Sequence, residues 1–166
     1  MRFRAISGLL VAVVLLAGCS TAGEGAASGS PAPSDARHLA FSAQTLDGAS
    51  FDGAQLAGKP AVLWFWAPWC PTCRAQAPAV SRLAEKYAGQ VNVLGVGGLA
   101  DIGDIRDYAR QVDGPLHLID PEGAVWRAFG VTAQSTYVVL DADGGIVAEG
   151  YLDDQVLAAK VAELAS

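Results

Sequence analysis

Six consecutive apolar residues, Ala61 to Trp66 (AVLWFW), are followed after Ala67-Pro68-Trp69 by Cys70-Pro71-Thr72-Cys73. Side chains of a strand alternate between its two faces, so a run with no polar position predicts a strand covered on both sides. Such a strand belongs to the middle of a sheet with helices above and below. Gly58-Lys59-Pro60 punctuates its start, and Pro71 suits the first turn of a helix, where its missing N–H costs nothing. The two cysteines therefore fall at the N-terminus of a helix that follows a central strand.

The rest of the chain from His38 alternates in the same way. LAFSAQTLDGASF reads as a hairpin turning at Asp47-Gly48. The helix over about 71–87 repeats Val80, Leu83, Ala84 and Tyr87 at helical spacing, with Pro78 expected to remove the bond to the Arg74 carbonyl and kink it. VNVLGVG is a second buried strand, and DIGDIRDYARQV an amphipathic helix with Ile102, Ile105, Tyr108 and Ala109 on one face. LHLID is a short strand and PEGAVWRAF a short helix; STYVVL and IVAEGYL are strands joined by DADGG, and DDQVLAAKVAELA closes the chain as a helix. This order predicts an α/β fold with a mixed central sheet flanked by helices on both faces.

A chain of 166 residues suffices for one domain with a substantial core. It is 52% hydrophobic with a net charge of −6, and no Lys/Arg cluster exists to neutralise phosphates, so nucleic acid is not an expected partner. Cysteines number three, and the odd one, Cys19, sits at the end of a distinct segment. Residues 1–18 place Arg2 and Arg4 ahead of an apolar run too short to cross a bilayer comfortably, the layout of a secretory signal. Leu16-Ala17-Gly18-Cys19 resembles the bacterial lipobox, in which cleavage precedes the cysteine and its sulfur carries a diacylglycerol; two acyl chains would anchor the protein stably. The alternative is an ordinary signal peptide or an uncleaved anchor with Cys19 incidental. Residues 19–37 are rich in Ala, Gly, Ser and Pro and are expected to form a flexible linker, the eighteen residues after Cys19 spanning roughly 20–25 Å. The domain is expected over 38–166.

The spacing of Cys70 and Cys73 suits thiol–disulfide exchange, in which one thiolate attacks a disulfide sulfur and a second thiol resolves the mixed disulfide. With Cys70 at the helix tip and Cys73 one turn further in, the sulfurs are close enough to bond, and only the first is expected to be accessible. Free N–H groups and the macrodipole stabilise an anion at a helix N-terminus, which makes Cys70 the nucleophile. Other chemistries fit less well. A structural zinc site needs four ligands, and His38 and His117 stand in no ligand-like spacing. A purely structural bridge would close too small a loop, and haem attachment needs histidine where Arg74 stands. DADGG lacks the remaining ligands of a calcium loop, and His117 reads as a strand residue with a local hydrogen bond.

These motifs resemble the thioredoxin superfamily, in particular membrane-tethered exchange proteins of the TlpA/ResA/DsbE type. GKPAVLWFWAPWCPTCRAQAP matches the strand-to-active-site segment, with Trp66, Ala67, Trp69, Cys70, Pro71, Cys73 and Pro78 in corresponding places, and FGV…TYVVLDADGGIV matches the later hairpin. The resemblance implies a thioredoxin fold with an N-terminal hairpin and a strand-helix insertion. It implies a redox pair, Cys70 and Cys73, surrounded by Trp66, Trp69, Pro71, Thr72, Ser135 and Thr136, with no cofactor and no resident metal. Implied partners are exported proteins with thiols or disulfides and a membrane redox protein that recycles the pair.

Two positions depart from the pattern. The family sets a proline, usually after a cis peptide, opposite the cysteines, and here that position is Ser135. A cis peptide without proline costs about 2.5–4 kcal/mol, so a trans bond is expected at Gln134–Ser135. Thioredoxin-like reductants often carry a buried acid on the central strand; the matching residue is Trp64, read as core packing, and no base assists Cys73. The expected activity is forming or shuffling disulfides in exported proteins. A reductant of envelope thiols such as apocytochrome c is the alternative within the family, and a redox-inactive binding or metal-carrying module the alternative outside it.

Overall fold

The computed structural model describes residues 34–166; the signal segment, Cys19 and residues 20–33 of the expected linker lie outside the described residues. A 3-10 turn over Ser34–Leu39 opens the described part, beginning inside the segment read as linker. Seven strands follow: β1 (Ser42–Thr45), β2 (Ser50–Asp52), β3 (Ala61–Trp66), β4 (Asn92–Gly97), β5 (Leu116–Ile119), β6 (Thr136–Leu140) and β7 (Ile146–Gly150). Between them lie α1 (Pro71–Lys86), α2 (Ile102–Ala109) and α3 (Ala124–Ala128), and α4 (Asp154–Leu164) comes last.

The strands form one mixed sheet in the order β2-β1-β5-β4-β3-β6-β7. Strands β3, β4 and β5 are parallel, while β6 joins β3 antiparallel and β7 joins β6 likewise. The N-terminal hairpin extends the other side by pairing β1 antiparallel with β5. This is the thioredoxin-like α/β arrangement the sequence implied.

Every residue of β3 is fully buried, as the AVLWFW run requires. Its alternate side chains divide between two cores. Val62, Trp64 and Trp66 pack with Val80 and Leu83 of α1, Ile105 and Tyr108 of α2, and Leu157 and Val161 of α4. Ala61, Leu63 and Phe65 face Leu39, Phe41, Val125, Trp126 and Phe129 on the other side. Truncating a buried aromatic to Ala costs about 3–5 kcal/mol, so the three aromatics in a row make β3 the energetic centre. Its neighbour β4 is small where Trp66 is large: a Cβ at Gly97, the register partner of Trp66, would lie 2.6 Å from the Trp66 ring and from Ile105 Cγ2.

One local expectation is refined. Ile102 does not join the buried face of α2; it is the first helical residue, 43% exposed, and helical side chains lean towards the N-terminus, away from the packed turns. Helix α1 spans Pro71–Lys86 with Pro78 inside it, close to the expected 71–87.

His117 is buried on β5, its Nε2–H donating to the Val112 carbonyl at 2.8 Å, while Nδ1 has no partner. Burial pushes its pKa below the usual value, outweighing the opposing Val112 carbonyl and Asp113. The unfolded chain therefore takes up a proton near pH 6.5 that the folded chain refuses, and stability falls as pH drops below that value. Urea unfolding at pH 7.5 and 5.5 should show a lower midpoint at the acidic pH, and His117→Gln should flatten the difference.

Candidate active site

Strand β3 ends at Trp66, and Ala67-Pro68-Trp69 leads directly to the first turn of α1. Cys70 is the N-cap, with extended backbone at φ −86° and ψ 114°, and Pro71 occupies the first turn. A cap side chain folds back over the turn it caps, and Cys70 Sγ accepts the Cys73 N–H at 3.1 Å. The Cα atoms of Cys70 and Cys73 are 5.3 Å apart, and the two sulfurs lie at disulfide distance.

Both sulfurs are enclosed. Cys73 is fully buried and Cys70 is only 2% exposed, which corrects the expectation of an accessible first cysteine. Cys70 turns inward to accept the Cys73 amide, and Ser135 closes over the pair from the segment before β6. Ser135 Oγ is 3.2 Å from Cys70 Sγ and 3.2 Å from Cys73 Sγ. No cis peptide occurs among the described residues, so the bond before Ser135 is trans as expected.

Ser135 holds an unusual backbone conformation, φ +65°, in the left-handed region. Its N–H donates to the Phe65 carbonyl at 2.9 Å, and its own carbonyl accepts from Gln76 Nε2 at 3.2 Å. Gln76 Oε1 in turn accepts from Trp64 Nε1 at 2.9 Å. Trp64 is thus more than packing: it fixes a buried amide that fixes the serine. Gln76 was missed from sequence, although it falls three residues after Cys73 and four before Val80, on the buried stripe of α1, where a polar residue needs an explanation.

The other expected residues take outer or supporting places. Trp66 is buried beneath the pair, its indole nitrogen without a partner. Trp69 is 55% exposed, its indole donating to the Leu99 carbonyl at 2.9 Å. Pro71 and Thr72 are exposed on the first turn. Thr136 is half-buried at the start of β6, opposite Phe65, and its hydroxyl donates to the Ala133 carbonyl.

No carboxylate hydrogen-bonds to either sulfur among the described residues. The buried acid Asp120 is committed elsewhere, accepting from the N–H groups of Ala124, Val125 and Trp126 at the start of α3. Tyr137 shares the core with the cysteines; burial pushes its phenol well above the usual range, with Asp154 and Tyr151 adding to the shift. Beside the pair an open groove of about 310 Å³ is lined by Trp69, Arg74, Asp104, Asp107 and Tyr108 among others. The arrangement is suited to two-electron exchange between a dithiol and a disulfide. His38 and His117 each engage a backbone carbonyl, of Gly144 and Val112 respectively.

The Redoxin family matches residues 27–164. The soluble secreted antigen MPT53 of Mycobacterium tuberculosis is 39% identical over 140 residues, covering 84% of this chain and 76% of that one. The structure of dsbF from MTB is similar at a TM-score of 0.72 and 41% identity, over 77% of this chain and 97% of that one. A secreted Mycobacterium tuberculosis disulfide oxidoreductase homologous to E. coli DsbE gives a TM-score of 0.70 at 38% identity, over 76% of this chain and 98% of that one. Family, fold and paired cysteines agree, and the chain belongs to the redoxin family as a thioredoxin-fold thiol-disulfide oxidoreductase.

Proposed function

We propose that this oxidoreductase works on the outer side of the cell membrane, lipid-anchored through Cys19, where it forms or shuffles disulfides in exported proteins. Cys70, which keeps 2% exposure beside exposed Trp69 and Pro71 where Cys73 has none, is the sulfur that exchanges with substrate, and Cys73 is the resolving partner. The observation that carries the oxidising direction is a donor without a base: Cys70 Sγ accepts a helix N-terminal amide, and no carboxylate hydrogen-bonds to Cys73 Sγ among the described residues. Donors aimed at a sulfur stabilise its thiolate and hence the reduced pair, and a pair whose reduced form is stabilised is a strong oxidant. Among the described residues, none hydrogen-bonds to Cys73 Sγ as a base that would help it act as a reductant's second thiol.

Location is supported by the signal-like residues 1–18, by Leu16-Ala17-Gly18-Cys19, and by the secreted relatives. Disulfides persist in such oxidising compartments. Residues 19–37 would serve as the tether and 38–166 as the catalytic domain. Trp69, exposed next to Cys70, supplies an apolar surface for a partner peptide, and a membrane redox protein would restore the disulfide after each turnover.

The reduction potential of the Cys70–Cys73 pair tests the direction. It should lie nearer about −120 mV, the range of a strong oxidant, than about −270 mV, that of thioredoxin; a value at the thioredoxin end would reverse the reading in favour of a reductant. For the roles of the cysteines, Cys73→Ala should accumulate mixed disulfides with exported proteins on non-reducing gels while Cys70→Ala should not. Should neither variant trap a partner, the redox-inactive module becomes the better account. For the anchor, Cys19→Ser should move the protein from the membrane fraction to the soluble fraction, and retention in the membrane would remove the lipid from the picture.

A further inference from the structure

Ser135 is the only residue whose side chain lies within hydrogen-bonding distance of both sulfurs among the described residues, and it does so at 3.2 Å to each. It is 8% exposed, so little solvent competes for the hydroxyl. Its backbone is pinned at both ends, by Phe65 on the amide side and Gln76 on the carbonyl side. The left-handed φ of +65° is unfavourable for a residue with a Cβ, yet the surrounding bonds hold it there. The two sulfurs are otherwise unequal. Cys70 Sγ has the Cys73 amide as a donor, while among the described residues Cys73 Sγ has no hydrogen-bond partner besides the Ser135 hydroxyl.

We propose that the Ser135 hydroxyl is a shared catalytic donor that stabilises each cysteine in turn as it leaves as a thiolate. The inference rests on the oxidising reading above for its order of events. A substrate thiolate attacks Cys70 Sγ: the substrate S–Sγ bond forms, the Cys70–Cys73 bond breaks, and the electron pair departs on Cys73 Sγ, where the Ser135 O–H donates to it. A second substrate thiolate then attacks the substrate sulfur of the mixed disulfide. The substrate disulfide forms, the bond to Cys70 breaks, and Cys70 leaves as a thiolate met by the Cys73 amide and by the same hydroxyl, rotated about its Cβ–Oγ bond. The substrate dithiol has lost two electrons and the enzyme pair has gained them; the substrate's two protons went to solvent when its thiols ionised, and Cys73 takes one back. A hydroxyl bonds a thiolate more strongly than a disulfide sulfur, so it favours the reduced enzyme and makes the pair more oxidising.

The test compares the full-length protein with Ser135→Ala and Ser135→Gly, equilibrated in glutathione buffers and read by tryptophan fluorescence, with thiolate formation in the reduced proteins followed by ultraviolet absorbance. Glycine adopts the left-handed backbone readily, so Ser135→Gly answers even where Ser135→Ala fails to fold. Both variants should be about tenfold harder to reduce, which is about 30 mV more negative, and their thiolates should form only at higher pH than in the parent protein. An unchanged potential or an unchanged thiolate titration in the folded glycine variant would overturn the proposal. A parent protein whose own potential matches thioredoxin would overturn the oxidising direction alone, since the difference between parent and variant still reports on the hydroxyl.

Discussion

The structure hangs on the position of β3 between β4 and β6. Six residues with no polar side chain can be satisfied only where both faces are covered and both edges are hydrogen-bonded, and the sheet supplies this by a parallel partner on one side and an antiparallel one on the other. That placement decides where the chemistry occurs. The strand ends at Trp66, four residues before Cys70, and the antiparallel β6 begins opposite Phe65, so the segment before β6 must arrive over the start of α1. The redox pair and the residue facing it are brought together by the register of one strand.

The polar contacts at the site extend this logic. At positions 135 and 64, where the resemblance to thioredoxin-like proteins implies a proline and often a buried acid, this chain has Ser135 and Trp64. The two departures are coupled through a third residue. Trp64 donates to Gln76, Gln76 donates to the Ser135 carbonyl, and the Ser135 hydroxyl reaches the sulfurs. Trp64, Gln76 and Ser135 each hydrogen-bond to the next, which lets a row of amide and hydroxyl groups sit in a core where an unpaired one would cost about 1–3 kcal/mol.

Much of the fold was legible in advance because its signals are local. The AVLWFW run, the Asp47-Gly48 turn, the helical repeat of Val80 and Leu83, and the DADGG turn each announce an element that the structure contains, with boundaries shifted by a few residues. Local periodicity misplaced Ile102, because a helix's first residue shares the spacing of the buried face without reaching the core. Gln76 was overlooked because a single polar residue in a helical stripe looks like a solvent-facing position until its partners are known.

What the sequence determined by itself is the chemistry: two cysteines one turn apart, a proline starting the helix, and a central apolar strand delivering them. These follow from residue types within about a dozen positions of one another, where steric and hydrogen-bonding preferences act directly. Tertiary structure alone decided how the pair is treated. The inward turn of Cys70, the enclosure of both sulfurs, and the contacts from Ser135 depend on a segment 62 and 65 residues away in the chain. Only the pairing of β6 with β3 brings that segment within reach, and no local preference of either stretch specifies it.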